Sequence, residues 1–138
     1  MSELTLTVPP RSVFAGVLLW SANKAAGKGE PGWPTVVDLT NKIVELKRNR
    51  DVRLDTRDIS IRADLNGWIS DDLSSFVERL VLFGLANEDP INLSTDALVL
   101  CKKILVEDAQ ENQYRGGIER LSSALSLNLD TKDPGADS

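Results

Sequence analysis

Between Lys42 and Arg62 the chain carries seven basic side chains, Lys42, Lys47, Arg48, Arg50, Arg53, Arg57 and Arg62, against four acids, Glu45, Asp51, Asp55 and Asp58. Arginine presents a planar fork of N–H donors that fits phosphate and carboxylate oxygens. Such a run can hold a nucleic-acid backbone or an acidic partner. The competing reading is a solvated loop paired with its own aspartates, which stabilises little. A second set of side chains lies in "SDDLSSFVERL" from Ser70, where Ser74, Ser75 and Arg79 would point outward from a helix and could reach base edges. Asp71, Asp72 and Glu78 share that face. Acids set beside phosphates oppose the charge neutralisation on which tight binding to DNA depends. They have a plain structural explanation: Ser70 is a good N-cap, and Asp71 and Asp72 favour the positive end of the helix dipole.

Trp33, Trp68 and Tyr114 lie next to or near glycines in turn-forming stretches. A loop aromatic can anchor a partner, so these three are candidate interface residues; folding back as a lid over the core is the alternative. Enzyme chemistry finds little support. Histidine is absent, which removes the commonest general base and zinc ligand. With Cys101 as the one cysteine, a Cys/His metal site and an intrachain disulfide are both excluded. "GKGEPG" lacks the spacing of a phosphate-binding loop that ends in Gly-Lys-Ser/Thr, and neither GxSxG nor GxGxxG occurs. "RGG" occurs once and is not a repeat. The expectation is a non-enzyme without metal or cofactor.

The elements that must position these side chains are those of one domain. A length of 138 residues with 41% hydrophobic and 27% charged residues is globular and can bury a core unaided. A net charge of −5 argues against non-specific grip on nucleic acid without excluding a local basic patch. The apolar run "VFAGVLLW" is too short to span a bilayer, and no secretory signal pattern is present; the single cysteine fits a cytoplasmic setting, which is the expectation.

Along the chain, "MSELTLTVPP" predicts a short strand or ordered arm, stopped by its prolines. A helix follows from Ser12 to about Lys28, and "GKGEPGWP" breaks it. Val36, Leu39, Ile43 and Leu46 predict a helix over 35–49, with Asp38 and "KRNR" matching its dipole. Thr56 caps a short helix predicted at 57–65, with Ile59, Ala63 and Leu65 inward; the alternating apolar residues of "VRLDTRDISIRA" leave a strand as the alternative. Asn66-Gly67 makes a turn, Ser70 caps a helix with Leu73, Phe76, Val77, Leu80 and Val81 inward, and Gly84 ends it. A short extended piece in "EDPINLS" leads to a Ser94- or Thr95-capped helix reaching about Glu111. A last helix is expected after Gly116-Gly117, and 130–138 reads as a disordered tail.

The order helix, short helix, turn, helix, short strand, helix resembles the winged helix-turn-helix superfamily over about Val36 to Leu105. "TRDISIRADLNGWISDDLSSFVERLVLFGLA" and the following "NEDPINLSTDAL" carry the resemblance. It implies a mostly α fold: a winged-helix-like core over 35–106 within a single helical domain 1–129, with a short or reduced β-wing and a C-terminal helical extension. It also implies a DNA-associated function, as a transcriptional regulator or replication accessory, with Arg48, Arg50, Arg53, Arg57, Arg62, Ser74, Ser75 and Arg79 as contacts. The alternative is a winged helix that binds protein, as a non-catalytic subunit, an adaptor or a homodimer. Arginines clustered beside the helix that starts after Ser70 would favour DNA; arginines scattered and paired with aspartates would favour protein.

Overall fold

The computed structural model describes residues 6–28, 34–48, 54–55, 58–65, 67–87 and 91–127. Among them are five helices and three small two-stranded sheets: β1 (Leu6–Thr7), α1 (Pro10–Lys28), α2 (Val36–Arg48), β2 (Leu54–Asp55), β3 (Arg62–Asp64), β4 (Gly67–Ile69), α3 (Asp71–Leu82), β5 (Ala86–Asn87), β6 (Asn92–Leu93), α4 (Thr95–Ala109) and α5 (Asn112–Ala124). The domain is mostly α, with β5–β6 as a short antiparallel wing.

Helix α1 is the hub. Pro10 opens it, where a missing N–H costs nothing. Every residue from Ser12 to Leu18 is buried, the signature of a helix covered on all sides. It packs most extensively on α4 and also touches α2, α3 and α5. The remaining helices are amphipathic and turn one stripe inward: Leu39, Ile43 and Leu46 from α2, Leu73, Val77 and Leu80 from α3, Ala97, Cys101 and Leu105 from α4, and Ile118 and Leu121 from α5. Fully burying a leucine, isoleucine or valine stabilises by about 1.5–3 kcal/mol, so these stripes hold the domain together.

Local signals act where the sequence places them. Thr35 and Asp38 cap α2 reciprocally: the Asp38 N–H donates to Thr35 Oγ1 at 3.3 Å and the Thr35 N–H to Asp38 Oδ2 at 3.0 Å. The Ser70 hydroxyl accepts from the Leu73 N–H, and the Ser94 hydroxyl from the Ala97 N–H. Gly84, at φ +74°, follows α3 in the left-handed conformation that stops a helix.

The N-terminal arm does form a strand. β1 runs parallel to β2, with Leu6 opposite Leu54, and then crosses α5. A Cβ on Gly117 would lie 2.6 Å from Val8 Cγ2 and 2.7 Å from the Thr7 carbonyl oxygen, so only glycine admits the arm there. This corrects the expected start of α5: the helix begins at Asn112 and runs through Gly116-Gly117, because Gly117 serves a close crossing.

A polar clasp ties the start of α1 to the end of α4. The Arg11 guanidinium donates to both oxygens of Asp108, through Nε at 3.0 Å and through Nη2, and the Ser12 hydroxyl donates to Asp108 Oδ2 at 2.6 Å. Asp108 and Ser12 are buried. Burial pushes the Asp108 carboxyl up, but the hydrogen bonds from Arg11 and Ser12 outweigh it and hold the group below its ordinary value.

The short helix expected at 57–65 is replaced. Residues 58 and 59 lie in a turn, and β3 then pairs with β4 as a hairpin with Arg62 opposite Ile69, Ala63 opposite Trp68 and Asp64 opposite Gly67. Ile59 is buried as expected, but Ala63 is exposed and Leu65, at the hairpin tip, is 100% exposed. The alternation of Ile59 and Ile61 with polar neighbours, followed by Gly67 at φ +139°, favours a hairpin over a helix. Thr56 and the tail 130–138 lie outside the described residues.

Candidate functional site: the α2–hairpin face and the end of α3

The hairpin β3–β4 is fastened to α2 by two side chains. Thr40 donates its hydroxyl to the Val36 carbonyl at 2.8 Å and accepts from the Ser70 N–H at 3.1 Å. Asn41 Oδ1 accepts from the Trp68 N–H at 3.0 Å. A Cβ on Gly67 would lie 2.7 Å from that same Asn41 oxygen, so the absence of a side chain at Gly67 lets the strand approach.

This contact leaves a shallow depression of about 510 Å³ between the helix and the strand, lined by Asn41, Val44, Glu45, Arg48 and Trp68. Asn41, Val44, Glu45 and Arg48 fall at intervals of three and four and share one helical face. Trp68 is 37% exposed and faces them across the depression. The small Ala63 lies opposite Trp68 on the strand pair, so no bulky cross-strand neighbour covers the indole. Further along, Lys42 Nζ lies 4.6 Å from the Trp20 ring centroid and 3.2 Å from Glu45 Oε1.

The acids at the start of α3 are engaged. Arg62 reaches both Asp71 oxygens at 3.3 Å, and the Ser60 N–H donates to Asp72 Oδ2 at 2.8 Å. Arg62, an expected anion contact, is therefore paired with an aspartate. Ser75, Glu78 and Arg79 are exposed along α3, while Ser74 is half-buried. At its far end Leu82 is 83% and Phe83 78% exposed.

Of the candidate residues, Arg48 and Trp68 come together in the depression. Arg62, Ser74, Ser75 and Arg79 belong to β3 and α3 instead. Tyr114 is half-buried and packs against the core. Trp33, Arg50, Arg53 and Arg57 lie outside the described residues. Sequence reasoning missed Asn41, Val44 and Glu45, although their spacing with Arg48 marks the stripe opposite the apolar one. It also missed Leu82 and Phe83, whose signal is a pair of large apolar residues directly before the stop glycine.

No group of three or more His, Cys, Asp or Glu side chains that could hold a metal is found among the described residues. No helix among them is long and apolar enough to cross a membrane. Cys101 is buried, and burial pushes its thiol up to about 12. These features define a mostly α-helical domain with a short wing and two exposed faces. Scans against protein-family models, curated proteins and solved structures give no match to the chain.

Proposed function

We propose that this chain is a winged-helix-like protein-interaction module, a cytoplasmic non-catalytic subunit or adaptor that docks a protein partner through the far end of α3. The observation that carries the reading is the exposure of Leu82 and Phe83 at the end of a helix whose first-turn acids are already engaged. Large apolar side chains held in water mark a docking surface when they sit together on a rigid element. Arg62 is paired with Asp71 at the start of α3, which supports the protein reading over a DNA contact at that residue. A DNA contact is the second reading. It is favoured by Lys47 and Arg48, exposed at the end of α2, and it would run through α2 rather than through α3.

The experiment compares the wild-type protein with a Leu82→Ser/Phe83→Ser variant in light scattering and in affinity capture from source cells. Both proteins are also titrated with a random-sequence DNA duplex at two salt concentrations. A defined partner or self-association that the variant loses, without salt-dependent DNA binding, is expected. Duplex binding that weakens steeply with salt and is indifferent to the variant reverses the order of the two readings.

A further inference from the structure

We propose that the depression between α2 and β4 is a binding site for an unpaired nucleobase carrying a phosphate, with Trp68 as the stacking surface, Asn41 and Glu45 at the base edge and Arg48 on the phosphate. This goes beyond the docking role of α3. Trp68 precedes α3 and Leu82 ends it, a helix length of about 18 Å apart, so either site can fail without the other.

Four features of the depression point to this ligand. The indole is presented rather than stowed: Trp68 stays 37% exposed while its backbone is held by Asn41 and its cross-strand neighbour is the small Ala63. A partly exposed indole lining the depression beside the aliphatic Val44 is a surface on which a base can stack. Polar groups of both kinds stand at its rim. Asn41 offers amide donors, and Glu45 offers a carboxylate whose hydrogen bond from Lys42, among the described residues, uses Oε1. A carboxylate accepts from the exocyclic amine of cytosine, and guanine offers two adjacent N–H donors at its pairing edge. Thymine offers one, so guanine is the preferred base. Finally, Arg48 lies one turn beyond Glu45 on the same face, about 5–6 Å away at Cβ. The long Arg48 side chain can extend from there, and a guanidinium fork suits phosphate oxygens.

The same features exclude duplex DNA from this site. Stacking requires a base out of its pair, and among the described residues the depression is lined by a single arginine. A chain of net charge −5 gains little from a long phosphate backbone. The grip is one base and one phosphate, so affinity is modest.

The test is isothermal titration calorimetry with guanosine monophosphate and, separately, anisotropy of a labelled d(TG)6 strand, with d(T)12 and a duplex as comparisons. Binding of the nucleotide alone assigns the site to a free nucleotide; binding of the strand in preference to the nucleotide assigns it to single-stranded nucleic acid. In either case Trp68→Ala is expected to weaken binding roughly 5- to 150-fold, the worth of one base–aromatic stack. Trp68→Phe should restore most of it, and Arg48→Ala should lower the salt dependence by about one phosphate contact. Circular dichroism melting confirms that each variant is folded. No response to millimolar nucleotide or to either strand overturns the proposal. So does binding that a folded Trp68→Ala variant leaves unchanged, or equal binding of the duplex.

Discussion

Replacing Asp108 by alanine tests whether the clasp between α1 and α4 holds the fold. The substitution removes three hydrogen bonds, two from Arg11 and one from Ser12. Ser12 is fully buried, so its hydroxyl loses its acceptor away from water, at a cost of about 1–3 kcal/mol. The Arg11 side chain is 56% exposed and recovers water, so the charge-assisted part is discounted well below the cost of breaking a wholly buried pair. Together these give about 2–4 kcal/mol at pH 7. At about 3 °C per kcal/mol for a domain of this size, the melting temperature falls by roughly 6–12 °C. The pH dependence has a definite sign. The Asp108 carboxyl is held below its ordinary value in the folded state. Its contribution is therefore complete above the unfolded value, about 3.9, and is lost as pH falls through the lower folded value. Urea unfolding of wild type and variant at pH 7 and at successively lower pH should show a gap that narrows only below about pH 4. A loss under about 1 kcal/mol at pH 7, or a gap constant down to the acid limit, would refute the clasp as a source of stability.

Other expectations follow from single residues. Gly117→Ala places a methyl against Val8 and the Thr7 carbonyl; it should cost about 1–3 kcal/mol and speed amide exchange in the arm while leaving α3 protected. Gly67→Ala meets both a φ of +139° and the Asn41 oxygen at 2.7 Å; thermal melting should reveal a loss of about 1–3 kcal/mol, and adding Asn41→Ala should recover the steric part but not the backbone part. Cys101, with its thiol pushed up to about 12, should react with a disulfide reagent at pH 8 no faster than the domain opens; rapid labelling of the native protein would contradict its burial.

The helices were legible because their signals are local. Ser70 and Ser94 cap where they stand, and apolar residues at intervals of three and four predict the stripes that α2 and α3 bury. The hairpin at 62–69 was misread because Ile59, Ile61 and Leu65 fit a helix as well as a strand over so short a run. The deciding facts are distant: Asn41 and Thr40 supply the hydrogen bonds that hold the hairpin, and neither is near it in sequence. The same holds for the clasp. Nothing around Arg11 signals that its partner is Asp108, and nothing at Gly117 signals a crossing arm. Within the depression Arg48 and Trp68 were each singled out by type, but their meeting depends on the register of a hairpin the sequence pattern did not predict.

The position of α1 at the centre of the domain has a consequence for how the protein is made. Its buried face waits chiefly for α4, and the chain from Lys28 to Thr95 must be synthesised in between, several seconds at about 5–20 residues per second. For that interval the helix whose Ser12–Leu18 stretch is buried on every side in the finished fold is without its main cover. A nascent chain in this state is a natural client for a ribosome-associated chaperone. Substitutions that slow synthesis or weaken α4 should therefore lower the yield of soluble protein well before they alter the finished fold.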